Sequence, residues 1–175
     1  MNESSQKAIR NYLSLRDEID TICSSLHKKH NKYTSCDNGC DECCMNFRLL
    51  PVEFYSILFS AKESNLKYLN NSEEEGCPFL IRHSCAIYPH RPIICRSHGL
   101  PILDMDQEGE NWELSFCPLN FKNNEDEYFT HSNCYHQDVF NSKLYMLNLE
   151  FIKTLEGIEY EKDEMIEIKK FREYL

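Results

Sequence analysis

Eight of the chain's ten cysteines form an uneven ladder: Cys36, Cys40, Cys43 and Cys44, then Cys77, Cys85, Cys95 and Cys117. The first four read C-DNG-C-DE-CC, and the rest lie in C-PFLIRHS-C-AIYPHRPII-C-R and F-C-P. Thiols this dense bond to one another, hold a metal, or stay reduced and buried, and the choice decides how the middle of the chain folds. A disulfide between the neighbours Cys43 and Cys44 would need a strained ring. The opening MNESSQKAIRNYLSLRDEID has no apolar stretch of the kind a secretory signal requires. The expected compartment is therefore the cytoplasm, where thiols stay reduced and clustered cysteines point to metal.

The thiol spacing supports this choice. Cys40, Cys43 and Cys44 stand at i, i+3 and i+4. A short helix after Gly39 would turn all three sulfurs to one side of its N-terminus, where the dipole favours thiolate. Cys36 would fold back across the Gly39 turn to join them. Cys77 and Cys117 are each followed by proline, which removes a backbone donor and fixes a turn. Between Cys77 and Leu103 there is no Asp or Glu, although the chain has 29. The same stretch holds Arg82, Arg91, Arg96, His83, His90 and His98. Arg91 and Arg96 are the expected guanidinium partners of a negatively charged thiolate centre. His98 is a reserve ligand, and Cys134, between His131 and His136, is a weaker candidate. Cys23 reads as a packing residue.

Around this centre the pattern is helical. Ala8, Tyr12, Leu15, Ile19, Ile22 and Leu26 recur in steps of three and four, predicting an amphipathic helix over 3–30. Pro51 opens a second helix, PVEFYSILFSAKE, with Val52, Tyr55, Leu58, Phe59 and Lys62 on one face. Acidic loops are expected at 70–76 and 122–127. Phe140, Leu144, Leu147, Phe151 and Leu155 mark a third helix ended by Gly157. The tail EYEKDEMIEIKKFREYL reads as a last charged helix with Met165, Ile168 and Leu175 inward. Five glycines and six prolines in 175 residues argue against a strand-and-turn architecture. The expected fold is mainly α: one small domain of helices packed around a loop-rich cysteine centre. Its segments are an N-terminal helix (1–35), a metal-binding core (36–118) and C-terminal helices packing on that core (119–175). A net charge of −10 argues against nucleic acid and against an anionic membrane surface, and no apolar run reaches a transmembrane length.

The succession CDNGCDECC, CPFL, CAIYPHRPIICR and a downstream Cys-Pro resembles the YkgJ-type cysteine-cluster family, a zinc- or iron-chelating domain with eight characteristic cysteines. The pattern C-x-I-Y-x-x-R-P-x-x-C-R is met at Cys85, Ile87, Tyr88, Arg91, Pro92, Cys95 and Arg96. The first spacing departs from the family's C-x-x-C-x-x-C-C, being C-x₃-C, so Cys36 is the ligand least tied to the motif. The resemblance implies Zn²⁺ or an iron–sulfur cluster held by the eight thiols. A larger protein with a similar cysteine pattern, flagellin lysine N-methylase, suggests iron–sulfur chemistry on a protein side chain as an alternative. No G-x-G loop for a nucleotide-like cofactor accompanies it here.

Two closed Cys₄ zinc sites would give a structural or storage domain whose acidic surface meets a protein partner. A cluster held by four cysteines would give an electron carrier or an enzyme acting on a protein substrate. Cys-Pro steps lean slightly to iron, whereas a loop-rich C-x₂-C knuckle suits zinc equally. A thiol–disulfide exchange site at Cys40–Cys43 lacks the strand–helix setting such sites use. Whether the chain is an enzyme is left open by the residues.

Overall fold

The computed structural model describes residues 2–36, 39–66, 69, 76–122, 124 and 126–175. Most of the expected acidic loop at 70–76, and part of that at 122–127, lie outside them. The element order is α1 (Glu3–His30), β1 (Arg48–Leu49), α2 (Pro51–Glu63), β2 (Leu80–Ile81), β3 (Ser84–Cys85), α3 (Ile93–Ser97), β4 (Ile102–Met105), β5 (Trp112–Ser115), β6 (Tyr135–His136), α4 (Gln137–Ile152) and β7 (Ile166–Glu167). Among the described residues helices dominate, but seven short strands in three small sheets make the fold mixed α/β rather than mainly α. The chain divides into two compact units, neither continuous in sequence.

Helix α1 runs through both units, residues 3–13 in the first and 14–30 in the second. Asn2 caps it, its Oδ1 accepting the Ser5 N–H at 2.9 Å. His27, Lys28, Lys29 and His30 fill the last turn, where the dipole favours positive charge. Ala8, Tyr12, Leu15, Ile19 and Leu26 are buried as expected. Ile22 is only half-buried, and Cys23 takes the inward place. A helix advancing 3.6 residues per turn drifts off a strict seven-residue step, which moves the stripe from Ile22 to Cys23 and ends it on His30.

The first unit comprises Met1–Leu13, Asn38–Pro92 and Tyr145–Leu175. Its core gathers Leu49, Phe54, Ile57, Leu58, Phe79, Ile87, Ile166, Ile168 and Phe171, with Cys77 and Cys85 packed against it. Helix α2 has the predicted bounds but a different inward face. Phe54, Ile57 and Ala61 are buried beside Val52 and Leu58, while Tyr55 and Phe59 are half-buried and Lys62 exposed. Eight apolar residues among thirteen, spread around the helix, leave the periodicity unable to choose one face. Leu50 supplies no side-chain cap, and the buried Asn148 of α4 accepts the Val52 N–H instead, at 3.1 Å.

Two expectations fail at the C-terminal end. Helix α4 stops at Ile152, before Leu155 and Gly157, with Leu147 only half-buried. The tail is not an α-helix: β7 pairs antiparallel with β1, followed by a 3₁₀ helix at Ile168–Glu173. The Ile168 N–H donates to the Phe47 carbonyl at 2.8 Å, and Phe171 stacks on Phe54 with ring centroids 4.1 Å apart. Met165 and Leu175 are exposed, and Ile166, Ile168 and Phe171 are the inward residues. Pairing with β1 satisfies backbone groups and buries three apolar side chains, which outweighs the weak helical preference of the segment.

The second unit comprises Ser14–Asp37 and Ile93–Leu144. Its sheet has the order β5-β4-β6, with β4 antiparallel to β5 and parallel to β6. The β4–β5 hairpin turns at Gly109, whose φ is +71°, and Asp106 accepts the Glu110 and Asn111 N–H groups. His30 lies fully buried between the Tyr128 hydroxyl (2.9 Å) and the Asn133 carbonyl (2.6 Å), edge-on to Phe121.

Candidate metal centre

In the first unit the backbone aims donors at sulfur. Residues 77–80 form a turn closed by the Leu80 N–H on the Cys77 carbonyl at 3.1 Å. Pro78 contributes no N–H, and the next two, of Phe79 and Leu80, bond the Cys77 sulfur. The Leu80–Ile81 and Ser84–Cys85 strands then pair across a two-residue loop, Arg82-His83, both at positive φ (50° and 61°). That hairpin returns the chain so that Cys85 opposes Leu80, and the Ile87 N–H bonds the Cys85 sulfur. The hairpin tip also reaches the first cysteine group, His83 Nδ1 lying 2.8 Å from Asp41 Oδ2.

The helix expected after Gly39 does not form. Gly39 turns at φ +100°, the Cys44 N–H donates to the Asp41 carbonyl at 2.8 Å, and Met45 bridges antiparallel to Gly76. With so few residues between Gly39 and that bridge, no helix can nucleate and no dipole favours thiolate. Cys44, Cys77 and Cys85 shift the opposite way. Burial, then repulsion from Cys43, Cys77, Cys85 and Asp41, pushes Cys44 up to about 12. Burial pushes Cys77 up to about 11 against the Phe79 and Leu80 N–H groups, with Cys85 raising it and Arg172 lowering it. Cys85 is also raised by burial, opposed by the Ile87 N–H and by Arg91. Arg91 is thus near the Cys85 sulfur, with its guanidinium 4.0 Å above the Tyr88 ring. These sulfurs are close enough to repel one another as thiolates, donors are already aimed at two of them, and sulfur is the donor type a soft cation takes.

Cys36, Cys95 and Cys117 belong to the second unit, apart in the division from Cys40, Cys43 and Cys44. Cys95 rides on α3, and Cys117 opens a turn closed by the Asn120 N–H on the Cys117 carbonyl at 2.9 Å. Cys36 is exposed, but its Sγ accepts from Asn120 Nδ2 at 3.3 Å. Arg96, expected near sulfur, is buried and paired with Asp20 of α1, its Nη1 2.6 Å from Oδ1. His98 is half-buried, next to Gly99. Cys23 packs inside α1. Cys134 is buried, its S–H directed to Asn133 Oδ1 at 3.4 Å, while His131 and His136 stack on each other beside Trp112. Asn120 and Gly99 escaped sequence reasoning, since neither is a metal ligand by type. No cysteine is joined in a disulfide, and among the described residues no group of three or more Cys, His, Asp or Glu side chains stands where it could hold an ion.

Among the described residues no helix is long and apolar enough to cross a membrane. Neither a curated protein nor a solved structure is similar enough to count as a match. A family model does match: CxxCxxCC, described as a putative zinc- or iron-chelating domain, over residues 35–118. That span holds all eight cysteines of the ladder and leaves out Cys23 and Cys134, the two that pack as buried thiols. Residues 35–118, just under half of this chain, are therefore similar to the CxxCxxCC family of zinc- or iron-chelating domains.

Proposed function

We propose that this protein binds zinc or an iron–sulfur cluster through Cys36, Cys40, Cys43, Cys44, Cys77, Cys85, Cys95 and Cys117. One set, Cys43, Cys44, Cys77 and Cys85 with Cys40 adjoining, lies in the first unit. The other, Cys36, Cys95 and Cys117, lies in the second, with His98 as the nitrogen donor at hand. The observation that carries this reading is the first set: sulfurs that would repel one another as thiolates, with peptide N–H groups trained on Cys77 and Cys85. A bound cation cancels that repulsion, and its binding free energy draws the ligands into coordination geometry. The metal then organises the loops between Gly39 and Cys117, and the acidic remainder of the surface is left for a protein partner.

The metal's identity turns on what surrounds the sulfurs. N–H···S bonds and the Arg91 charge stabilise the electron-rich state of an iron–sulfur cluster, which raises its potential and leans the reading slightly to iron. A closed Cys₄ zinc site would use the same donors to offset its net negative charge. Element analysis of anaerobically purified full-length protein, with its visible spectrum, separates the two. Brown protein absorbing near 400 nm and bleached by dithionite is the iron–sulfur form, and colourless protein with tightly held zinc is the other. Folded protein holding neither metal would overturn the reading.

A further inference from the structure

Asn120 ties together the chain segments that carry three of the ladder's cysteines. Its side chain is 1% exposed, and its polar atoms have definite partners. Nδ2 donates to Cys36 Sγ at 3.3 Å and to the Gly99 carbonyl at 2.8 Å, while Oδ1 accepts the Ser35 N–H at 2.7 Å. Its own N–H closes the turn that begins at Cys117. Gly99 completes the cradle from the other side. Its φ is +88°, and a Cβ built there would lie 2.7 Å from Cys36 Sγ, inside van der Waals contact. The sulfur is therefore pressed against a backbone that only glycine leaves open, under an amide that can donate to it.

The arrangement concerns the cysteine that the spacing motif fixes least. We propose that Asn120 is a positioning residue for Cys36, holding its sulfur by an N–H···S bond against Gly99 so that it joins Cys95 and Cys117 as a metal ligand. An ordinary core asparagine would serve backbone groups alone. Here one amide proton is committed to a sulfur, which fixes the direction in which that sulfur faces. The ligand role of Cys36 rests on the metal-binding reading above. The hydrogen bond itself does not.

Two measurements on the full-length chain keep these apart. In metal-free protein, nitrogen-15 NMR of the Asn120 side-chain amide should show one proton protected from exchange and shifted in Cys36→Ala. An amide resonance indifferent to Cys36→Ala overturns the positioning role, whether or not metal binds. In zinc competition against a chromophoric chelator, Asn120→Asp and Gly99→Ala should each weaken binding about tenfold or more. Neither should weaken it further in a Cys36→Ser background. Equal losses in both backgrounds would mean that Asn120 and Gly99 act only on the fold, and would overturn the inference. If the wild-type chain takes up no zinc and no iron, the metal-binding reading and the ligand role of Cys36 fall together, and the amide measurement still decides the hydrogen bond.

Discussion

A cysteine's type does not say whether its sulfur will ligate or pack; its surroundings do. Cys77 and Cys85 are half-buried, accept peptide N–H groups and lie near each other, whereas Cys23 is buried on α1 and Cys134, though it too accepts a peptide N–H, from Thr130, is buried with its S–H on Asn133. The difference is testable residue by residue. Cys77→Ser or Cys85→Ser should lower bound metal to about half or less, because one absent thiolate opens a closed site. Cys23→Ser should leave metal content unchanged while costing about 1 kcal/mol of stability, since it places a hydroxyl in an apolar stripe. Inductively coupled plasma analysis beside urea melts reads both. The ladder was legible because eight thiols of one type in one span are rarely accidental. Asn120 was not, because an isolated asparagine acquires its meaning only when segments 84 residues apart meet.

At the scale of elements, α1 was readable because one apolar stripe repeats over 28 residues, long enough for its period to show. Short strands carry no such statistics. The β4–β5 hairpin had its signals in the alternation around Ile102–Met105 and Trp112–Ser115 and in Gly109, but four residues per strand were too few to outweigh the helical composition. The tail was misread because Ile166, Ile168 and Phe171, set among charges, suit a helix face or a strand about equally. Only β1 decided between them. Phe171→Ala should cost about 3–5 kcal/mol, since the ring is wholly buried and stacked on Phe54. The Arg82-His83 loop should respond in the opposite sense. Positive φ at two side-chain-bearing residues is strained, so Arg82→Asn with His83→Gly should raise stability by about 1 kcal/mol. Loss of the exposed His83–Asp41 contact subtracts little from that gain. Urea midpoints at constant slope would check both values.

For the whole molecule, pH and metal should act on the thiols in opposite directions. In metal-free protein Cys44 and Cys77 are raised from 9.0 to about 12 and about 11, so the folded state holds protons that the unfolded chain releases. Their contribution is complete below about pH 9 and is lost as pH climbs through 11 and 12. Metal-free protein should therefore melt more easily at pH 10.5 than at pH 8. Metal binding must expel the same protons, so chelator competition should show affinity rising with pH between 6 and 8. What the sequence left unread at this scale was the division itself. Two units assembled from interleaved segments give no composition boundary, so which cysteines fall in which unit becomes visible only once the chain is folded.

The central claim is that sulfur from this ladder coordinates an ion. Metal K-edge X-ray absorption of anaerobically isolated, full-length protein interrogates that coordination atom by atom. The account predicts a shell of sulfur scatterers at about 2.3 Å around zinc or iron. A shell of oxygen and nitrogen alone, around whatever metal the folded protein carries, would contradict it.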